Sequence, residues 1–242
     1  MQNQAVMYVP RTKEANEIRS QLDLKIGELR PTDHPFLDRF NSYGMSREEL
    51  RRFSPQWYRT ITAHKQAFSG LVYSTQDEQL RGDLLAILFD EYGNGNPKSM
   101  HTQLFLRVPY AIGMSLDDIA GTPEIEEVQS FREFTDKVWL DRTNPSRAYG
   151  VLYLFENIGA DFHTRFLRGF EKSDLPEDAL EYSRLHTVAE EEHAQRVING
   201  LGIYNDNVPQ ILGGVEQGSR ALVTLWDGFN RCLLYTSPSP RD

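Results

Sequence analysis

An all-α fold is what this sequence predicts, on three observations. Cap residues stand before prolines or acidic first turns at repeated intervals, polar residues recur at helical steps of three and four, and no useful alternating apolar and polar run occurs. No repeat at a fixed period is evident. Connections such as Gly44-Met45, Gly93 to Asn96 and Gly202 to Pro209 are short, which favours one compact bundle over two domains. The 242 residues are an ordinary length for one large helical domain. We expect a single helical domain over residues 1–231, a bundle of about seven to nine helices.

The elements follow in order. His34-Pro35-Phe36 marks a break after the first helix, with His34 read as a local turn or packing residue. Ser46-Arg-Glu-Glu49 has the form of a capping box and opens a long helix toward Tyr73. A further helix carries Glu91 and stops at Gly93 and Gly95. Asn96-Pro97, Thr122-Pro123 and Asn144-Pro145 each place a cap residue before a proline suited to a first helical turn. Leu175-Pro176-Glu177-Asp178 opens the next segment, with Asp174 as its candidate cap. A last amphipathic helix runs from about Gly214 to Arg231, with Ala221, Leu222, Leu225, Trp226 and Phe229 at helical spacing.

Composition narrows the function. A net charge of −9 and a pI near 5.2 argue against a nucleic-acid surface, since Lys and Arg are scattered. The longest apolar run, Leu84 to Phe89, is too short to span a bilayer. Met1 to Pro10 lacks a basic stretch followed by an apolar core, so no signal peptide is expected and the location is read as cytoplasmic. Cys232 is the only cysteine, which excludes an internal disulfide. It begins a tail, residues 232–242, whose composition breaks with everything before it and looks like a translated sequencing adapter. We expect that tail to be non-native and the natural chain to be cut short near Arg231.

The chemistry concentrates in His186-Thr-Val-Ala-Glu190-Glu-Glu-His193, whose steps of four and three set two imidazoles and a carboxylate on one helical stripe. Glu191 and Glu192 read as a solvated face. Glu156 is a lone carboxylate among large apolar side chains, where it needs a cation, a hydrogen-bond partner or a proton. Gly159 and Ala160 beside it would let another helix or a substrate come close. Glu91 and His101 flank the glycine-rich break, which lets ligands converge that an unbroken helix would hold almost three turns apart, with His101 about one turn inside the restarted helix. Three carboxylates and three histidines without thiolates suit iron or manganese better than structural zinc. Two ferrous ions carry one positive charge more than three carboxylates neutralise, leaving room for a hydroxide, a fourth carboxylate or a substrate carboxylate. His163, seven residues after Glu156, is a further candidate. Trp57, Tyr58, Phe68, Tyr149 and Phe155 stand near the helices expected to line a cavity.

Glu91, His101, Glu156, His186, Glu190 and His193 resemble, in order and spacing, the pattern of the haem-oxygenase-like diiron oxidases and oxygenases, relatives of thiaminase-type and pyrroloquinoline-quinone-synthase-type helical proteins. The likeness extends over roughly residues 30 to 200. It implies a haem-oxygenase-like bundle whose six residues hold two Fe2+ ions, with Mn as the alternative metal. It further implies O2 as co-substrate, a small amine, amino-acid or fatty-acid type substrate, and N-oxygenation or oxidative C–C cleavage. An external electron donor and a homodimer are the partner expectations. In one respect the chain departs from the pattern: members usually offer another glutamate where no acid occurs between Glu49 and Asp77. His64 could replace it, or Lys65 could occupy the place as a surface or substrate-carboxylate contact, or water and substrate could complete the site. Two rival readings are a metal-independent enzyme or binding protein on the same scaffold, and a ferritin-like iron protein. The second wants a Glu-x-x-His pair from each of two helices, and Glu190 to His193 is the single instance here.

Overall fold

Ser46 opens the longest helix of the computed structural model, which describes residues 13–234. The readings of Met1 to Pro10 and of residues 235–242 lie outside the described residues. The helices are Lys13–Leu29 (α1), Pro35–Tyr43 (α2), Arg47–Ser74 (α3), Glu78–Glu91 (α4), His101–Phe105 (α5), Arg107–Ala111 (α6), Leu116–Gly121 (α7), Glu126–Trp139 (α8), Pro145–Glu171 (α9), Glu181–Gly200 (α10) and Val208–Leu234 (α11). Three of these eleven have only five or six residues, so eight longer helices build the bundle. No strand occurs among the described residues.

Caps show why several helices begin where they do. The Ser46 hydroxyl accepts from the Glu49 backbone N–H at 3.3 Å while the Glu49 carboxylate accepts from the Ser46 N–H at 2.7 Å, satisfying two donors that the first turn leaves unpaired. Asn144 caps α9 by accepting from the Arg147 N–H. His34 caps α2, its Nδ1 accepting from the Phe36 N–H while its Nε2 lies 3.2 Å from Asp227 on α11. That is the local turn role expected of it.

Other starts differ from expectation. Asn96 caps a single 3-10 turn, Pro97–Ser99, and His101 is the first residue of α5 rather than one turn inside a helix. Thr122-Pro123 starts no helix. The Thr122 hydroxyl donates back to the Asp118 carbonyl and ends α7, while the Gln56 side chain donates to the Pro123 carbonyl and accepts from the Ile125 N–H. A glutamine from α3 thus satisfies the backbone ahead of α8, which begins at Glu126 without a side-chain cap. Asp174 is not a cap either; it sits at φ 53° in the turn leaving α9, and a 3-10 turn over Glu177–Leu180 precedes α10. The last helix begins at Val208, earlier than the amphipathic pattern indicated, and runs three residues beyond Arg231 with Leu233 buried.

Packing centres on α9. Helices α10 and α11 lie along it, α2 crosses its second half, and α3 is held against α8 and α4. Below the polar centre the core is aromatic: Phe36 stacks on Trp226 with ring centroids 5.8 Å apart, and Trp57 meets Phe166 edge to face at 5.0 Å. This floor fixes the rotation of α3, α9 and α11 about one another and so decides which of their residues face the space above it.

Removing the α3 cap by Ser46→Ala is expected to cost about 1 kcal/mol. For a chain of this size that lowers Tm by roughly 2–4 °C in a thermal melt, with metal content unchanged because Ser46 lies outside the polar centre.

Candidate metal centre

Four helices deliver seven buried or half-buried polar side chains to one place. On α10 the four-and-three spacing puts His186, Glu190 and His193 on the inner face, all buried. Helix α9 adds Glu156 and His163, also buried. Glu91 ends α4, and His101 returns from beyond the glycine-rich break. Gly93 makes that return feasible: it adopts φ 78°, and a Cβ there would stand 2.5 Å from the Asn96 carbonyl oxygen and 2.6 Å from the Met100 nitrogen.

The ligand-type atoms form two groups joined by a third. Glu91, His101 and His186 make one, Glu156, Glu190 and His193 the other, and His163, His186 and Glu190 span them, each group having its atoms within 4.8 Å of one another. His101 Nδ1 lies 2.9 Å and His186 Nε2 3.7 Å from one Glu91 oxygen; His193 Nδ1 lies 3.2 Å from Glu156. Despite its closeness to Glu91, buried His101 Nδ1 has no hydrogen-bond partner. Two ligands of one ion, each about 2.1 Å from it at right angles, stand about 3 Å apart without bonding to each other. The donor set and this orphaned nitrogen therefore fit a metal. His186 Nδ1 is turned to the Tyr182 carbonyl at 2.7 Å, which leaves Nε2 as its ligand atom.

Charges are unevenly held. Burial penalises the Glu91 carboxylate, but contacts from His101 and His186 outweigh it and hold the group well below the usual carboxylate range. Burial and the neighbouring Glu156 push Glu190 well above that range. Burial opposes charge on His193 too, yet its contacts with Asp90 and Glu156 push it up to about 11. His163 is driven well below the ordinary imidazole value by burial and then by His186, on which it stacks at 4.3 Å.

The remaining candidates separate. His64 belongs to neither ligand group. Its ring packs against Trp139 and Phe155 at 4.5 and 5.4 Å and borders a cavity of about 90 Å3 that Glu91, Glu156, His186 and Glu190 also line. Burial lowers its pKa, so it is a neutral imidazole beside that space. Lys65 is neither at the surface nor in the cavity wall, correcting the surface or substrate-contact reading. It is buried with Nζ 3.3 Å from both the Glu91 carbonyl and the Thr102 hydroxyl, tying α3 to the two sides of the glycine-rich break. Trp57 and Phe155 line the cavity, Phe68 and Tyr149 are core, and Tyr58 borders a groove on the α3–α8 side.

Asp90 escaped the sequence reading. Its Oδ2 stands 3.3 Å from His193 Nε2 and 3.6 Å from His101 Nε2. The only available signal was its place beside Glu91, and adjacent helical residues normally point some 100° apart.

This is a helical bundle built around a buried cluster of carboxylates and imidazoles of metal-binding type. A family model described as iron-containing redox enzyme matches residues 51–227, and the chain belongs to that family. It is 22% identical over 230 residues to 4-chloro-allylglycine synthase of Streptantibioticus cattleyicolor, covering 90% of this chain and 85% of the relative. It is 23% identical over 215 residues to 4-aminobenzoate synthase of Chlamydia trachomatis, covering 86% and 90%. The fold is haem-oxygenase-like. A domain of that fold from Shewanella denitrificans superposes with TM-score 0.66 at 14% identity, over 96% of this chain and 97% of that one. A cadd-like protein from Nostoc punctiforme gives TM-score 0.76 at 13% identity, over 92% of this chain and all of that one. No helix among the described residues is long and apolar enough to cross a membrane.

Two outcomes follow. Gly159 faces Glu190 so closely that a Cβ would stand 2.4 Å from its carboxylate carbon, so Gly159→Ala is expected to displace Glu190 and weaken metal binding about 10-fold or more, measured by metal titration against a chelator. The metal-free native chain holds the His193 proton up to about pH 11, well above where an unfolded imidazole releases it, and the upward shift of Glu190 acts in the same direction. Its stability should therefore fall as pH rises above about 6.5 toward 11, while metal, which displaces those protons, should bind more tightly over the same range. Thermal melts with and without divalent metal between about pH 6.5 and 8 read both slopes.

Proposed function

We propose that the chain is a non-haem diiron oxidase or oxygenase that uses O2 to oxidise a small amine, amino-acid or fatty-acid type substrate, by N-oxygenation or oxidative C–C cleavage. The observation that carries this reading is the pair of buried three-ligand groups, joined through His163, His186 and Glu190, which offers places for two ions rather than one. Glu91, His101 and His186 would hold one ion, and Glu156, Glu190 and His193 the other. When bound, two ferrous ions supply O2 with electrons that no side chain here provides.

The chain's own residues do the rest. A substrate in the cavity would lie against Glu91, Glu156, His186 and Glu190, which line it. Trp57, Ile61, Phe131, Phe155 and Phe162 among its walls exclude bulk water and orient an apolar body. No Lys or Arg lines it, so a substrate's charged group is expected to face the metal ions or the neutral ring of His64. Tyr182, its hydroxyl kept protonated by burial, is a second polar lining group. Repeated turnover needs an external electron donor to return the irons to the ferrous state. Manganese at the same ligands is the alternative metal, and a homodimer remains our expectation for assembly.

Anaerobic reconstitution with ferrous iron followed by metal analysis tests the reading. About two irons per chain and a new absorption band on mixing with O2 are expected. Glu156→Ala should reduce the iron to about one per chain and His186→Ala should abolish the band, with both variants still helical by circular dichroism. Iron retained at wild-type levels in both variants would reject the site. His64→Ala should leave iron content unchanged and alter KM for the substrate.

A further inference from the structure

We propose that Asp90 is a shared positioning residue, one carboxylate that turns a histidine from each half-site so that both present Nδ1 to a metal. The proposal rests on the diiron reading above and adds a residue outside its six ligands. His101 comes from α5 and His193 from α10, and each directs Nδ1 toward a ligand carboxylate, at 2.9 Å from Glu91 and 3.2 Å from Glu156. On the opposite edge of both rings Nε2 faces the same Asp90 oxygen, at 3.6 and 3.3 Å. An imidazole that gives one N–H to a carboxylate is fixed in tautomer and orientation and offers its other nitrogen as a more basic ligand. One aspartate serving two rings makes the two half-sites depend on a common support.

Asp90 is itself held. The Asn94 side-chain amide donates to its other oxygen, Oδ1, at 2.5 Å, from the positive-φ turn that also brings His101 back. Its side chain is 29% exposed and, with Asn94, Ser99, His101 and Arg107, lines a recess that shares no residue with the cavity bordered by Glu91, Glu156, His186 and Glu190. That placement separates Asp90 from the ligand carboxylates, which face the Nδ1 edges. With Glu91, Glu156 and Glu190 it also brings the carboxylates near the two half-sites to four, matching the four positive charges of two ferrous ions.

Asp90→Asn and Asn94→Ala test the proposal in the full chain. Ferrous iron is titrated anaerobically against a competing chelator, with 57Fe Mössbauer spectra of the loaded protein. Asp90→Asn should weaken both irons by roughly 10–100-fold and alter both iron signals, and Asn94→Ala should weaken both by less. Nitrogen-15 NMR of the zinc-loaded wild type should show Nε2 protonated and Nδ1 metal-bound on His101 and His193. Unchanged affinity in Asp90→Asn, loss of one iron alone, or metal on Nε2 would overturn the proposal. A wild-type chain binding fewer than two irons would instead overturn the diiron reading, and the zinc spectra would still report on Asp90.

Discussion

Acids and imidazoles inside an apolar bundle impose the constraint on which this molecule depends. Glu156 and Glu190 are 7% and 8% exposed and lie against His193 and each other's charge. Burying such groups costs several kcal/mol each unless protons, partners or cations compensate. Without a cation, burial and Glu156 push the Glu190 carboxyl well above its usual range, and contacts with Asp90 and Glu156 push His193 up to about 11, so both groups favour holding a proton. A pair of ferrous ions would replace both protons and reconcile all the carboxylates at once.

The rest of the architecture serves that centre. Helix α9 lies between α10 and α11, so its inner face can carry Glu156 and His163 without reaching solvent. The glycine-rich break gives up helix continuity between α4 and α5 and brings Glu91 and His101 together, with His101 Nδ1 2.9 Å from the Glu91 carboxylate. Lys65 then fastens that break to α3 through the Glu91 carbonyl and the Thr102 hydroxyl. The aromatic floor beneath, around Trp57, Phe166 and Trp226, keeps these helices from rotating out of register.

Membership of the iron-containing redox enzymes agrees with a donor set of oxygen and nitrogen without thiolate. In the stretch between Glu49 and Asp77, which holds no acid, this chain places His64 against Trp139 and Phe155, bordering the cavity and outside the ligand-type groups. A neutral imidazole there changes what the cavity offers a substrate more than what the centre offers a metal. The two named synthases are 22–23% identical to this chain in sequence, and one scaffold supports different functions through differences of this kind.

Local chemistry was legible in the chain itself. The Ser46 box, the Asn144 cap and the glycine stop at Gly93 are written in neighbouring residues, and helical period alone sets His186, Glu190 and His193 on one face. Long-range substitutes were not legible: Gln56 replaces the cap expected at Thr122, and Lys65 turns inward, because each answers a backbone carbonyl distant in sequence. Asp90 belongs to the same class. The sequence by itself determined an all-helical chain with six residues of metal-binding type at family spacing. Only the tertiary structure decided that they gather as two joined groups and that Asp90 backs a ring in each, since those contacts form when helices far apart in the chain are packed to about 10 Å of one another.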